Sequence, residues 1–194
     1  LRALALHALE REFPEHLHAE GGLQGQVLGM AREAAQRFAH LGAEWVRVGY
    51  TQSNFNADNC LVNGATVDYG PFGFIEKYSP GWGMWISAGD HFSFMNQPVA
   101  MGKNLNQFLQ SLEPLLDAEG VAALRAIGRD YTQLSQDFMN RMWSRKLGVS
   151  SWERRGEGGG EGGQALWRGL EPLLRQTGVD WTIFWRQLAE VAAL

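Results

Sequence analysis

A long helical repeat is the feature that most constrains how this chain can fold. From Leu23 to Val48, apolar residues recur at three- and four-residue spacing, which is the repeat of one face of an α-helix. Asn104 is predicted to cap another helix that ends near Leu116, because its side chain can accept a hydrogen bond from a first helical turn. The same spacing predicts further helices over 3–12, 119–146, 164–176 and 180–193.

A segment of different character, 49–103, interrupts these helical patterns. It is rich in glycine, asparagine and aromatic residues and carries short strand signals. The sequence therefore predicts a mainly α fold with a small β insert (α+β), and its length suits one domain over 1–194. The glycine- and glutamate-rich run 156–163 is predicted to be a flexible linker within that domain.

Composition narrows the classes of partner and of site. The chain has 17 basic and 21 acidic side chains and a formal net charge of −4, which argues against nucleic acid as its main partner. No apolar run approaches the roughly 18 residues that a membrane span needs, so none is expected. Cys60 is the single cysteine, which excludes an intrachain disulfide and a multi-cysteine zinc site.

The segment from Asn59 to Asp68 carries the strongest local signal. Its centre, Asn63-Gly64, lies between two short apolar stretches and predicts a type I′ hairpin turn with positive φ at both residues. Counting outward from this turn pairs Asn59 with Asp68. Directly opposed residues have Cβ atoms about 4.5–5.5 Å apart. The pattern therefore predicts an amide and a carboxylate side by side at the open end of the hairpin.

Oxygen ligands of this kind suit Mg²⁺, which takes one or two protein carboxylates together with substrate phosphates. Asp58 adds a second carboxylate next to Asn59. The alternative is that these residues only shape turns and cap chain ends, as Asn and Asp commonly do.

The spacing around this hairpin is typical of protein kinases. A kinase catalytic loop, His-Arg-Asp-x-x-x-x-Asn, precedes a short hairpin and Asp-Phe-Gly. Here the octet 52–59 ends in the same Asn, and Asp68-Tyr69-Gly70 follows the hairpin. The position of the kinase base is occupied by Asn54, whose amide cannot accept a proton from an attacking hydroxyl. An ordinary protein kinase is therefore disfavoured, and a repurposed kinase fold is indicated.

Three strings give the chain a specific resemblance. They are Asn-Ala-Asp-Asn at 56–59, Val-Asp-Tyr-Gly-Pro-Phe-Gly-Phe at 67–74 and Asn-Gln-Pro at 96–98. Weaker matches lie at 145–148 and 180–188. In these residues the chain resembles the selenoprotein O family (SelO, or YdiU) of protein adenylyltransferases.

The resemblance implies a kinase-like C-terminal lobe that binds ATP in a reversed orientation and transfers AMP to Ser, Thr or Tyr of protein substrates. It implies that Asn59 and Asp68 bind Mg²⁺ (or Mn²⁺) and the nucleotide, and that Asp58 is the general base. It also implies a cytoplasmic protein in a bacterium, or a mitochondrial or plastid one in a eukaryote.

The chain departs from the family pattern in two respects. Gln52-Ser53 stands where many members have His-Gly, and nothing before Leu23 resembles the N-terminal lobe that should supply a phosphate-binding lysine. We therefore expect a C-lobe fragment or split subunit, inactive alone, whose N-lobe lies in another segment or a companion chain. The alternative is a catalytically inactive interaction subunit derived from such an enzyme.

Other residues allow both a functional and a structural interpretation. Asp90-His91 has the composition of an acid–base pair, but a lone histidine beside aromatics is more often structural. Cys60 is expected to be buried and not redox-active, because no second cysteine exists. Four aromatic residues form either a peptide-binding surface or core packing: Trp82, Trp85, Phe92 and Phe94.

Overall fold

The computed structural model describes residues 1–66, 70–85, 90–153 and 162–192, and these are mostly helical. This confirms the predicted mainly α fold with a small β insert. The helices are α1 Arg2–Glu12, α2 Gly22–Val48, α3 Gln97–Leu112, α4 Ala118–Leu147, α5 Gly163–Thr177 and α6 Trp181–Ala192. The strands are β1 Tyr50–Gln52 and β2 Phe72–Phe74.

The two strands form a short antiparallel sheet. Tyr50 lies opposite Phe74, and Gln52 lies opposite Phe72. The Tyr50 ring meets the Phe74 ring edge to face, with centroids 5.4 Å apart. Aromatic pairs of this kind are the cross-strand contacts that stabilise such small sheets.

Gly49 joins α2 to the sheet and is required by its surroundings. Its φ is +80°, and an added Cβ would lie 2.9 Å from side-chain atoms of Ile75 and Trp181. Its carbonyl accepts a hydrogen bond from the Ile75 amide at 2.9 Å. A residue with a side chain would therefore be strained in its backbone and crowded by its neighbours.

The start of α3 differs from the prediction. The helix begins at Gln97 and not at Asn104, which lies inside it. Pro98 sits in the first turn, where a missing backbone N–H costs nothing. The Asn104 side chain therefore caps no helix, and its amide is used in a tertiary contact described below.

The chain divides into two compact units. Of the described residues, the first unit contains 1–42, 55–66 and 98–135. The second unit contains 43–54, 70–85, 90–97, 136–153 and 162–192. The single domain over 1–194 stays a prediction.

The first unit buries one face of α2 and of α3. On α2 the buried residues Val27, Met30, Ala34 and Phe38 follow the predicted helical repeat. On α3 they include Leu105 and Leu109, four residues apart.

The second unit is built on aromatic side chains. Trp181 is only 1% exposed, and its ring lies 5.3 Å from the Tyr78 ring and 5.3 Å from the Trp185 ring. We call the whole group the aromatic cluster; it consists of Tyr78, Phe94, Trp143, Trp167, Trp181 and Trp185. Six aromatic groups in mutual contact give this unit a large buried apolar area.

Two further predictions concern the linker and the membrane. Most of the predicted linker 156–163 lies outside the described residues, and its last residue, Gly163, begins α5. Among the described residues, no helix is long and apolar enough to cross a bilayer.

Candidate active site

Asp58 and Asn59 lie together in a single turn of 3-10 helix, Ala57–Asn59, in the first unit. The turn is closed by the backbone N–H of Asn59, which donates to the backbone carbonyl of Asn56 at 2.9 Å. The Asp58 side chain is exposed, and Asn59 is half-buried. Asp68 lies outside the described residues, so its pairing with Asn59 around a metal ion stays a prediction.

The turn lies within a longer segment, residues 55–60, which we call the candidate loop. Both ends of the candidate loop are hydrogen-bonded to Asn104 on α3. At its start, Phe55 is 1% exposed and its carbonyl accepts a hydrogen bond from Asn104 Nδ2 at 3.0 Å. At its end, the Cys60 sulfur is hydrogen-bonded to the same Asn104 side chain. The residues between these two anchors carry the predicted base and metal ligand.

Cys60 contributes to this anchoring and not to nucleophilic chemistry. Burial raises the pKa of the Cys60 thiol to about 12, and the hydrogen bond with Asn104 offsets only part of this effect. The group is therefore a neutral thiol at physiological pH, and a neutral thiol is a poor nucleophile. This agrees with the structural role expected for the single cysteine.

The turn after the loop forms one residue earlier than predicted. The Gly64 amide donates to the Leu61 carbonyl at 3.0 Å, so Val62 and Asn63 are the central residues. Gly64 has φ +73°, whereas Asn63 does not have positive φ. The predicted type I′ turn centred on Asn63-Gly64 is therefore wrong. Among residues 57–66 no strand flanks the turn.

Contacts with α1 and α2 explain this shift. Asn63 Nδ2 donates to Glu12 Oε2 at 2.7 Å, and Asn63 Oδ1 accepts from the Ala65 amide at 3.0 Å. A Cβ on Gly64 would lie 2.6 Å from Cβ of Arg37, so the chain passes directly against α2 here. Tertiary contacts thus select a different turn from the one favoured locally for Asn-Gly.

A cavity of about 340 Å³ opens beside Asp58. We call it the Asp58 cavity. Phe38 and Asn104 in its wall are buried, whereas Asp58 and Gln107 are exposed and lie nearer the solvent. Its remaining lining is largely apolar and comes from Ala57, Cys60, Val62 and Phe108. An exposed carboxylate therefore borders a cavity with a mainly apolar wall.

The chemistry of the donor set fits a hard divalent cation. Asp58 has an exposed carboxylate and Asn59 has an amide oxygen, and both residues lie on one short turn. Another group of possible ligands in the described residues is Glu15, His16 and Glu33. There the Arg37 guanidinium donates to both carboxylates, at 2.8 and 2.9 Å, so a cation already neutralises them.

The residues just before the candidate loop belong to the second unit and are buried. The side chain of Gln97 forms two hydrogen bonds with the backbone of Gln52, both at 3.2 Å. Its Oε1 accepts from the backbone N–H, and its Nε2 donates to the backbone carbonyl. Ser53 Oγ accepts a hydrogen bond from the Met84 amide at 2.8 Å. The string Asn-Gln-Pro at 96–98 thus includes a residue that holds the strand leading to the loop.

The other candidate residues named from the sequence differ in how far their side chains are exposed to solvent. Phe94 is fully buried and Trp82 packs against the aromatic cluster, so both contribute to the core. Phe92 is half-buried, and Trp85 is 48% exposed. The His91 ring lies 4.4 Å from that of Phe92. Catalysis by Asp90 and His91 stays untested.

Sequence reasoning missed two features that hold the loop and α2 in place. The local sequence predicts Asn104 to be a helix cap, and only its contact with Phe55, 49 positions away, shows its use. Lys146 lies over the rings of Trp181 and Trp185, at 5.2 and 4.3 Å, and donates to the Arg47 carbonyl at 2.7 Å near the end of α2. Burial, followed by nearby Arg47, lowers the pKa of Lys146 to about 8.

Comparison with known proteins identifies the lineage. The family model described as "Protein adenylyltransferase SelO" matches residues 1–193. The chain belongs to this family. It is 34% identical over 197 residues to the protein nucleotidyltransferase YdiU of Pseudarthrobacter chlorophenolicus, covering 99% of this chain and 39% of that protein. For the YdiU proteins of Bordetella avium and Chromobacterium violaceum the identities are 36% and 32%, with 37% and 39% of their lengths covered.

These findings confirm the resemblance based on the strings at 56–59 and 67–74. They place the chain among relatives that are named as protein nucleotidyltransferases. The chain spans less than two fifths of the length of these curated relatives.

Proposed function

We propose that this chain supplies the magnesium-binding part of a protein adenylyltransferase, which transfers AMP from ATP to a Ser, Thr or Tyr hydroxyl of a protein. In this proposal Asn59 and Asp68 bind Mg²⁺ (or Mn²⁺) and the nucleotide, and Asp58 is the general base. The family membership supports nucleotidyl transfer, and the match extends over 1–193.

The observation that carries the proposal is the geometry of the candidate loop. Asp58 is exposed on a turn whose two ends are fixed by Asn104. A general base must reach solvent and substrate while its backbone stays in one place. An Asp in a merely structural turn would be expected to use its side chain in a cap.

The proposed reaction needs one proton acceptor. As the acceptor oxygen attacks the α-phosphorus, its bond to phosphorus forms, the bond between the α-phosphorus and the bridging oxygen breaks, and pyrophosphate leaves. Asp58 takes the proton of the attacking hydroxyl. A bound Mg²⁺ would supply neutralising charge to the phosphates, with Asn59 and Asp68 to hold it.

The Asp58 cavity gives the acceptor polypeptide a place to bind. Its wall includes Phe38, Val62 and Phe108, and Asp58 lies nearer its mouth. We expect it to accept an uncharged side chain next to the acceptor hydroxyl, because burying a charge in such a wall is costly. The shape of the cavity would then select which residue of the substrate protein lies next to the acceptor hydroxyl.

The kinase-like C-lobe architecture and the missing N-lobe are part of the proposal. The curated relatives are more than twice as long as the matched region, which leaves room for a lobe that supplies a phosphate-binding lysine. We therefore expect full activity only when that segment, in the same polypeptide or in a companion chain, is present.

The test uses the complete polypeptide, incubated with acceptor proteins, Mg²⁺ and ATP labelled at either the α- or the γ-phosphate. Adenylyl transfer predicts protein labelling from α-labelled ATP only. Asp58→Asn should lower the rate by about 10²–10⁴-fold, since the proton acceptor is lost. Asp68→Ala should abolish labelling and the effect of Mg²⁺ on thermal stability.

The matched control is Asp130→Asn, which removes an exposed carboxylate on α4 in the first unit. It should retain the full rate. Transfer of the γ-label would indicate a kinase and refute the proposal. Absence of any labelling or nucleotide-dependent stabilisation, even with all segments present, would instead support the inactive interaction subunit.

A further inference from the structure

We infer that Asn104 is a positioning residue that sets the placement of Asp58 and Asn59 for catalysis. The inference rests on the proposed function of those two residues. Asn104 acts through Phe55 and Cys60, which flank the turn that carries them.

Asn104 bonds to both ends of the candidate loop. Its side chain is 5% exposed and hydrogen-bonds the Phe55 carbonyl and the Cys60 sulfur, which are five positions apart in sequence. A single rigid helix residue therefore fixes both ends of a six-residue loop. The Phe55 ring, itself buried, adds an apolar anchor at the first end.

The chemistry of the position favours an amide. The Phe55 carbonyl needs a donor, and the Asn104 side chain supplies a neutral one in a buried place. A carboxylate of the same shape has no N–H, and an alanine leaves the carbonyl without its partner. Asn104 also lines the Asp58 cavity. In either variant, water could enter through this cavity and the loop could relax.

A small displacement of the loop has a large effect on the reaction. Misplacing a catalytic group by about 1 Å can cost on the order of 10²-fold in rate. We therefore expect Asn104→Ala to lower kcat about 10- to 100-fold and to raise the Mg²⁺ concentration needed for half-maximal activity. The KM for ATP should change less, because in the proposed function a lysine of the N-lobe also binds the phosphates.

The experiment compares Asn104→Ala with Leu105→Ala in the complete polypeptide. Leu105 is the next residue on α3, is fully buried and does not line the Asp58 cavity, so its truncation destabilises the same helix without removing a hydrogen bond of the loop. Both variants should lower Tm. Only Asn104→Ala should change the Mg²⁺ dependence and speed amide hydrogen exchange in residues 56–60.

Asn104→Asp gives a readout that a purely structural role would not produce. A deprotonated Asp cannot donate to the Phe55 carbonyl, whereas the protonated acid can. The activity of Asn104→Asp relative to the unaltered protein should therefore rise as pH is lowered from 7.5 to 5.5. This variant also serves if Asn104→Ala does not fold.

Two results would overturn the inference. One is an unchanged Mg²⁺ dependence in Asn104→Ala together with hydrogen exchange in 56–60 equal to that of Leu105→Ala. The other is a pH-independent activity ratio for Asn104→Asp. Failure of the proposed function gives a different result, because the unaltered protein would then transfer no AMP. The hydrogen-exchange experiment would still show whether Asn104 holds the candidate loop in place.

Discussion

The candidate loop of the first unit and the aromatic cluster of the second unit are stabilised in opposite ways. The loop is held by one amide side chain, one buried phenylalanine and one thiol, and its central Asp58 is exposed. The cluster is held by ring-to-ring contacts among residues that are mostly less than a tenth exposed. Stability and the proposed chemistry therefore depend on different residues, and mutations can separate them.

Loss of activity in a variant can therefore have two separate causes. A loop held by a few polar contacts can lose its geometry while the chain stays folded. A densely packed cluster loses stability before any chemistry is affected.

Trp181→Ala should remove the centre of the aromatic cluster. Trp181 contacts the rings of Tyr78, Phe94 and Trp143, and we expect a loss of about 3–5 kcal/mol in the free energy of unfolding because a large cavity remains. Urea denaturation followed by circular dichroism measures it. Trp85→Ala is the matched control and should change stability by no more than about 0.5 kcal/mol, since Trp85 is 48% exposed. Equal effects of the two changes would show that the cluster does not dominate stability.

The Cys60 thiol should report directly on the closure of the loop. Since burial raises its pKa to about 12, the native thiol should react with a disulfide reagent at pH 8 at least ~100-fold more slowly than in urea. Stopped-flow absorbance measures the rate, and Cys60 is the only thiol in these 194 residues. Rapid native reaction would mean that the loop opens readily and that its two ends are not fixed.

Lys146 should make stability depend on pH. Its pKa is about 8 when folded and near 10.5 when unfolded, so the unfolded chain binds more protons between these values and stability rises with pH through this window. Relative to Lys146→Met, the free energy of unfolding should rise by on the order of 1 kcal/mol from pH 7.5 to 9.5, after allowance for partial exposure. Chemical denaturation at both pH values measures it. A difference that stays flat or falls would contradict the burial of this amine.

The helices could be predicted because their signal is local. The apolar repeat predicted α2 over 23–48, and the structure has it at Gly22–Val48. The start of α3 was missed because Pro98 and Gln97 look like loop residues, and only the tertiary contacts of Gln97 show that the helix begins there.

The candidate site could be predicted only in part. The string Asn-Ala-Asp-Asn identified Asp58 and Asn59, and the structure places both on one turn. The position of the following turn could not be predicted, since it depends on contacts of Asn63 and Gly64 with α1 and α2. The role of Asn104 could not be predicted either, because no local pattern links residues so far apart in sequence.

The paired hydrogen bonds between Gln97 and Gln52 have a consequence for which residues position 97 can accept. Gln52 is 1% exposed, so its backbone N–H and carbonyl cannot turn to water for a replacement partner. Here a side-chain amide fills the place of a third strand at Gln52, with its oxygen and nitrogen in the positions of a peptide group. A shortened or apolar residue at 97 would therefore remove both of these hydrogen bonds inside the protein and destabilise β1.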